Sequence, residues 1–568
     1  MDTQRLIAFM VFSFSALLLW DAWQKHNAPK LPTPTVQQQQ AATALTSPGS
    51  VPSASNVPSK GNQSATAAGA SPAVVPVSGV VSGTPVVVKT DMFEVELGTQ
   101  GGDVRRVTLL KHFSATDKTK PLTLLQPKEG HYFVTQSGLA EGLPNHNSLF
   151  KAESASYELK QGEDKLEVKL VNRDVPGVEV QKTLTFRRNS YVIDVAYTIK
   201  NTGEKPLTPT AYYLFARDNN PPEGEAAQSN PMTGVATFTG PAIYTEEKKF
   251  QKVDFSDIEK GKKNYPEQAK DGWVALVQHY FVSAWLPKSG VSRDYFTDKV
   301  TEQKLYRAGV KVPVETIAPG QSGTVSVALY VGPQEQDQLK QLAPGLDLVV
   351  DYGWLKVIAV PLFWLLQFIH GFVGNWGWSI VIMTILIKGV FFPLNQKAGK
   401  SMAHMKSVAP RIQQLQQRYG DDRMKLNQAM MELYRTEKIN PLGGCLPIVI
   451  QIPVFIALYW VLLAAIELRH APWAFWITDL SAPDPYYVLP LIMAVSMFIQ
   501  TKLNPPPPDP VQAKVMLFMP LVFSIFFFFF PAGLVLYWTV QNIIGIGQQW
   551  WINKTVEKET ALRAAGKR

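Results

Sequence analysis

The sequence predicts a polytopic α-helical membrane protein of six spans, with a large antiparallel β-sandwich on the outer side and a helical hairpin in the cytoplasm. Three observations predict it. Long apolar runs are confined to residues 6–20 and to the stretch after about 354. Between them, segments such as "DKLEVKLVN", "VEVQKTLTF" and "SGTVSVALYVG" alternate with period two and are bounded by Gly, Asn, Asp or Pro, the mark of half-buried strands. Basic residues gather beside the apolar runs, the pattern that the positive-inside rule produces.

Averaged over 568 residues, 46% hydrophobic and 18% charged, the composition is that of an ordinary soluble protein and conceals two unlike halves. The net charge of +9 follows from membrane topology, so nucleic acid is not an expected partner. Cys445 is the only cysteine, which excludes a disulfide within the chain. No G-x-x-x-x-G-K-[ST] loop occurs, and no cofactor or metal is expected.

Taken in order, residues 1–23 form the first span. Trp20, Asp21 and Trp23 stand where signal cleavage needs small residues, so an uncleaved anchor is expected. Residues 24–85 read as a tether: from 31 onward they hold one charged residue, Lys60, and no aromatic, too little apolar surface to offset the entropy of ordering. The β-sandwich occupies 86–346. No paired carboxylates or histidine cluster with catalytic spacing appear in it, and His112, His131 and His279 read as surface or packing residues.

Residues 347–373 are apolar enough to cross. Crossing would, however, put residues 395–440, with nine Lys or Arg, on the outer side, so an amphipathic helix lying along the outer interface is expected. The core, 374–550, then holds spans at about 376–394, 443–464, 486–503, 514–530 and 532–549, and the basic tail 551–568 falls inside with the N-terminus. Within the core, 395–440 reads as two antiparallel helices around a "GDD" turn, with Asp421 or Asp422 capping the second helix and Arg411 among the basic residues of the first. Pattern alone leaves open whether this hairpin only sets topology or docks a cytoplasmic partner.

The run "SIVIMTILIKGVFFPLN", 379–395, places Lys388 inside a span at a cost of several kcal/mol unless something compensates it. A wetted cavity is the cheapest home for the charge, with snorkelling to the headgroups as the alternative. Thr384, one turn away on the same face, and Gln451, Thr539, Gln541 and Asn542 in other spans are candidate companions, although polar residues in spans also tie helices together.

Four segments, "GNWGWSIVIMTILIKGVFFPL", "KINPLGGCLPIVIQIPVFIALYWVL", "ELRHAPWAFWITDLSAPDPYYVLP" and "FPAGLVLYWTVQNIIGIGQQW", resemble the YidC family of bacterial membrane protein insertases. The resemblance implies a non-enzymatic inner-membrane protein that inserts and helps fold nascent and newly made integral membrane proteins. It would act in the phospholipid bilayer, alone or beside the Sec translocon, with ribosome or signal recognition components as further partners. It also implies a periplasmic supersandwich of the galactose-mutarotase type. Lys388 would be the cation of a cytoplasm-open substrate groove, with Thr384 and Gln451 beside it, Tyr537 and Trp538 meeting the client, and Trp476 in the external loop. Arginine is usual at this point of the family, whereas here lysine keeps the charge and loses the planar five-donor fork. The alternatives are a secondary transporter coupled through the lysine, for which no inverted repeat is evident, and a membrane-anchored periplasmic carbohydrate-active protein.

Overall fold

The computed structural model describes residues 85–114, 117–222, 238–300, 304–420, 422–437, 446–503 and 510–565. The expected anchor, all but the last residue of the tether, and Asp421 lie outside them. Period two becomes sheet because alternate side chains point to opposite faces. Strand Val178–Arg187 buries Val180, Leu184 and Phe186 and turns Gln181, Thr183 and Thr185 to the other face. It pairs with Val192–Asn201, which pairs in turn with Ser322–Pro333 at the centre of a nine-stranded sheet. The facing ten-stranded sheet is centred on Thr210–Arg217 between His131–Leu139 and Leu305–Pro313. Among the described residues the pairing is antiparallel except between Val86–Lys89 and Ser156–Glu158. Trp285 fills the core against Tyr213 and Phe215, at ring separations of 5.1 and 5.9 Å. Each such large side chain contributes on the order of 2–3 kcal/mol by leaving water.

One core position on Val178–Arg187 is a lysine. Lys182 is 1% exposed, and its ammonium donates to Asp103 Oδ1, Ser137 Oγ and Gly101 O, each at 2.9 Å, while lying 5.3 Å from the Tyr197 ring centre. Every donor of the amine has an acceptor, the condition for keeping a charge in a dry interior.

Two short helices, α1 (Phe255–Glu259) and α2 (Gln336–Leu342), belong to the β domain. The chain then enters α3 (Lys356–Val373), α4 (Trp376–Val390), α5 (Phe392–Tyr419), α6 (Arg423–Thr436), α7 (Leu446–Ala464), α8 (Val488–Leu503), α9 (Pro510–Phe526) and α10 (Ala532–Ala565). By length and composition, Gly353–Val373 can cross a membrane. Trp376–Val390 and Phe392–Met405 qualify as a pair bent by 63°, and Ile450–Ala464, Val488–Leu503 and Lys514–Phe526 are shorter apolar helices.

The helices add detail to three sequence expectations. Helix α3 lacks the polar face of an amphipathic interfacial helix: Ala359, Phe363, Leu366 and Ile369 face the protein, while Val357, Trp364, Phe368 and Phe372 face outward. The span expected at 376–394 breaks at Phe391, because Pro393 cannot donate to the carbonyl one turn back and Gly389 weakens the turn before it. The basic tail continues α10 as far as Ala565, and its Ile552 and Val556 pack on Ala403 of α5.

The β domain is bolted to the end of α7 and to the loop between α7 and α8. His279 Nε2 lies 3.0 Å from Leu463 O, Arg469 donates to Phe113 O at 2.6 Å with its guanidinium over the rings of Tyr280 and Phe281, and Lys118 pairs with Asp479 at 3.3 Å. Burial, together with the Arg469 charge and against the Leu463 bond, lowers the His279 pKa to about 4, so this imidazole docks neutral.

Candidate functional site

Lys388 stands in the last turn of α4. The break at Phe391 therefore does two things at once. It ends the helix early, so the ammonium sits near the negative end of the helix dipole, and it turns α5 away from the α4 axis. The lysine is half-buried and has no hydrogen-bond or ion-pair partner among the described residues.

Its amine reaches toward α10 and α8. A Cβ built on Gly545 would stand 3.9 Å from Lys388 Nζ and 3.3 Å from Gln500 Nε2, so two nitrogen donors converge over a residue without a side chain. Gln500 was not singled out from the sequence, although a lone amide in "SMFIQTKL" is the same kind of signal that marked Gln451. An ammonium and an amide N–H aimed at one open spot can hold a carboxylate from two directions, which a lone lysine cannot do.

The other candidates fall elsewhere. The Thr384 hydroxyl is buried and donates to Ile380 O at 2.7 Å, within its own helix. Gln451 neighbours the Tyr537 hydroxyl. Tyr537 is eight residues before Gly545 on α10, about 12 Å along the axis at 1.5 Å per residue, so these polar groups form a second level distinct from that of Lys388. Tyr537 is fully buried, and Trp538, half-buried, packs edge-on against Phe455 and Phe527 at 4.3 and 4.7 Å. Asn542 donates to Ser496 Oγ at 3.2 Å, tying α10 to α8, and Thr539 is buried on α10. Gln541, also on α10, is half-buried.

Trp476 lies in the loop between α7 and α8 and donates to Asp484 at 3.0 Å. The same carboxylate accepts from the N–H of Leu489 at 2.8 Å and so fixes the start of α8. Across the loop, Gly377 lies under Trp473, where a Cβ would meet the indole at 2.2 Å, and Asn375 caps α4 by accepting from Trp378 N at 3.0 Å. These contacts tie the loop to the start of α4, the helix that carries Lys388.

At the other end α5 and α6 pack as a hairpin on Val408, Ile412, Met405, Met430, Leu433 and Tyr434. Arg411 pairs with Glu437 across the two helices at 2.5 Å, and Asp422 caps α6 by accepting from Lys425 N at 3.1 Å.

Comparison with known proteins gives a consistent result. Residues 85–365 match the family described as the YidC periplasmic domain, and residues 368–559 match the 60Kd inner membrane protein family. The chain is similar to the membrane protein insertase YidC of Aromatoleum aromaticum, at 53% identity over 562 residues, 98% of this chain and 99% of that one. It is 50% identical over 558 residues to the protein of the same name from Dechloromonas aromatica, with 98% of each chain covered. Among solved structures it is similar to an active YidC insertase with its first transmembrane domain resolved, at 19% identity and a TM-score of 0.37, over 82% of this chain and 92% of that one.

Proposed function

This chain belongs to the YidC family of membrane protein insertases, and from that premise we propose that Lys388 is the cation of a hydrophilic groove open to the cytoplasm, through which client spans enter the bilayer. The protein is an inner-membrane insertase with a periplasmic β domain, and its clients are integral membrane proteins. Its relatives are named as insertases, not as enzymes.

One observation carries the groove reading. A half-buried ammonium without a partner among the described residues is costly in a bundle of apolar helices, and both water and an incoming carboxylate lower that cost. Carrying a polar tail through the full ~30 Å of hydrocarbon is prohibitive, and a groove reaching partway shortens the barrier. Lys388 and Gln500 attract the acidic tail, and the following span slides past Trp538 and Phe455 into lipid. Each negative charge moved outward gains about 2.3 kcal/mol per 100 mV of membrane potential, so no nucleotide is needed.

In this reading the chain has six spans with both termini in the cytoplasm, and α3 lies against lipid at the outer interface. The α5–α6 hairpin meets cytoplasmic partners, among them ribosome or signal recognition components, and the Sec translocon works beside the core. The transporter alternative needs a second buried ionisable group next to Lys388, and none pairs with it among the described residues. The test is insertion of a client with an acidic N-terminal tail into inverted vesicles by Lys388→Glu and Lys388→Arg. The first is expected to fail and the second to work; equal insertion by both refutes the groove cation.

A further inference from the structure

A cavity of about 310 Å³ opens between the β domain and the loop that follows α7. Its walls come from both parts of the molecule: Gln126, Tyr132 and Phe133 from the ten-stranded sheet, Gln278 and Phe281 from the nine-stranded one, and Arg469 from the core. Because Arg469 also makes the junction contacts to Phe113 and Phe281, the cavity is complete only while the β domain is docked.

Its chemistry points away from simple packing. Gln278 is 6% exposed, yet its side-chain amide has no hydrogen-bond partner among the described residues. The residue lines the cavity, where water or a ligand can satisfy an amide that the protein leaves unbonded. Beside it are the Tyr132 hydroxyl and the Gln126 amide, with the rings of Phe133 and Phe281 as apolar walls. The two lining carboxylates are engaged locally. Asp117 accepts from Thr119 N and pairs with Lys120, each at 3.0 Å, and Asp218 accepts from Tyr132 N at 2.7 Å and Asn220 N at 3.1 Å. Arg217 and Arg469 also line the cavity; their guanidiniums donate to the carbonyls of Asp218, Asn220 and Phe113 and keep positive charge beside it.

We propose that this junction cavity receives an extended acidic polypeptide segment on the periplasmic side, such as a client tail that has just crossed. The Gln278 amide donates to one peptide carbonyl and accepts from one peptide N–H, a pairing that a primary amide matches in both directions. The aromatic walls take the neighbouring side chains, and the two guanidiniums favour a carboxylate. The proposal rests on the reading of the chain as one that passes acidic tails outward, and it gives the tail a receiver on the far side of the step that Lys388 begins.

The experiment titrates a fluorescein-labelled acidic decapeptide into the full-length protein in nanodiscs of zwitterionic lipid, read by anisotropy. Saturable binding is expected, weakened about tenfold by Gln278→Leu and by replacing the peptide's aspartates with asparagine. Gln278→Leu should at the same time leave the melting temperature unchanged, since no hydrogen bond within the protein is lost; a structural amide would lower it. If that variant does not fold, Gln278→Glu, which keeps the shape, should weaken binding of the acidic peptide. Equal affinity of the wild type and the folded variant overturns the proposal. So does displacement of the peptide by a free hexose or by glycerophosphoethanolamine, which makes the cavity a small-molecule site. The titration is repeated in Lys388→Glu: binding that persists there separates this site from the groove, whichever way the insertion assay falls.

Discussion

The β domain and the helical core each put a lysine where lysines are rarely found, and they treat it in opposite ways. Lys182 is sealed in the sandwich with Asp103, Ser137 and Gly101 saturating its three donors. Lys388 is half-buried among apolar helices, with a glycine and an amide beside it and no counter-charge among the described residues. A charge balanced internally has nothing left to offer a partner, whereas one left unbalanced is available to whatever negative group arrives. The same side chain thus serves as structure in one region and, in the function proposed above, as receptor in the other.

The largest expected effect breaks the first half of this contrast. Lys182→Met leaves the Asp103 carboxylate buried without its counter-charge and should destabilise the β domain by about 3–5 kcal/mol. Denaturant unfolding followed by the fluorescence of Trp273 and Trp285 reads the change, and Lys182→Met with Asp103→Leu should recover most of it. A single variant as stable as the wild type would mean that the pair is not the seal described.

The second test addresses the open lysine. Lys388→Glu should lower insertion of acidic-tail clients about tenfold or more, roughly 1.4 kcal/mol in the barrier, with thermal unfolding of the β domain unchanged. A parallel loss of β-domain stability would remove the distinction between the two lysines.

The third uses His279, which handles a base in another way, by keeping it neutral. Its pKa in the folded protein is lowered from 6.5 to about 4, chiefly through burial. His112, near Arg469, His470 and Lys111, behaves alike, again to about 4 with burial as the main cause. A base with a depressed folded pKa contributes stability that is complete above pH 6.5 and is lost as the pH falls toward 4. Docking of the β domain should therefore weaken by on the order of 1 kcal/mol per histidine across that window. Electron–electron distances between labels on the β domain and on the loop after α7 should broaden at about pH 4.5 relative to about pH 7.5, and His279→Gln should flatten the response. Identical distributions at both values would count against a neutral junction.

The smallest expected effect sharpens the geometry at Lys388. Gly545→Ala places a methyl 3.3 Å from Gln500 Nε2 and 3.9 Å from Lys388 Nζ. That is tight enough to shift the amide but not to unpack the bundle, so insertion should fall about two- to threefold, and Gln500→Leu should fall by a similar amount without adding to it. Full additivity would show that the two residues do not share one site.

Much of this molecule was legible in its sequence. Period two around Val180, Leu184 and Phe186 points to strands with one buried face, which a sandwich of two facing sheets satisfies. The apolar runs and their basic flanks separate core from β domain, and Asp422 ahead of "RMKLNQAMMELYRT" marks the start of a helix through its capping oxygen. The candidate site was legible only in part. Lys388 stands out because hydrocarbon makes any charge conspicuous, but its neighbours come from α8 and α10, more than a hundred residues away, and depth estimates could not separate the level of Gln451 and Tyr537 from that of Gln500 and Gly545. Lys182 drew no notice at all, since one lysine among alternating residues looks like a solvent position until the opposite sheet brings up Asp103.

Local pattern was enough to mark the division into a β domain and a helical core, the family, the unusual cation and, through Pro393, the break after α4, because these depend on periodicity, on backbone chemistry and on the cost of charge in lipid. Which lysine is paired and which is open, and that a cavity lies between the two regions, came only with the assembled fold. Each of these depends on contacts between distant segments, whose energies no local pattern encodes.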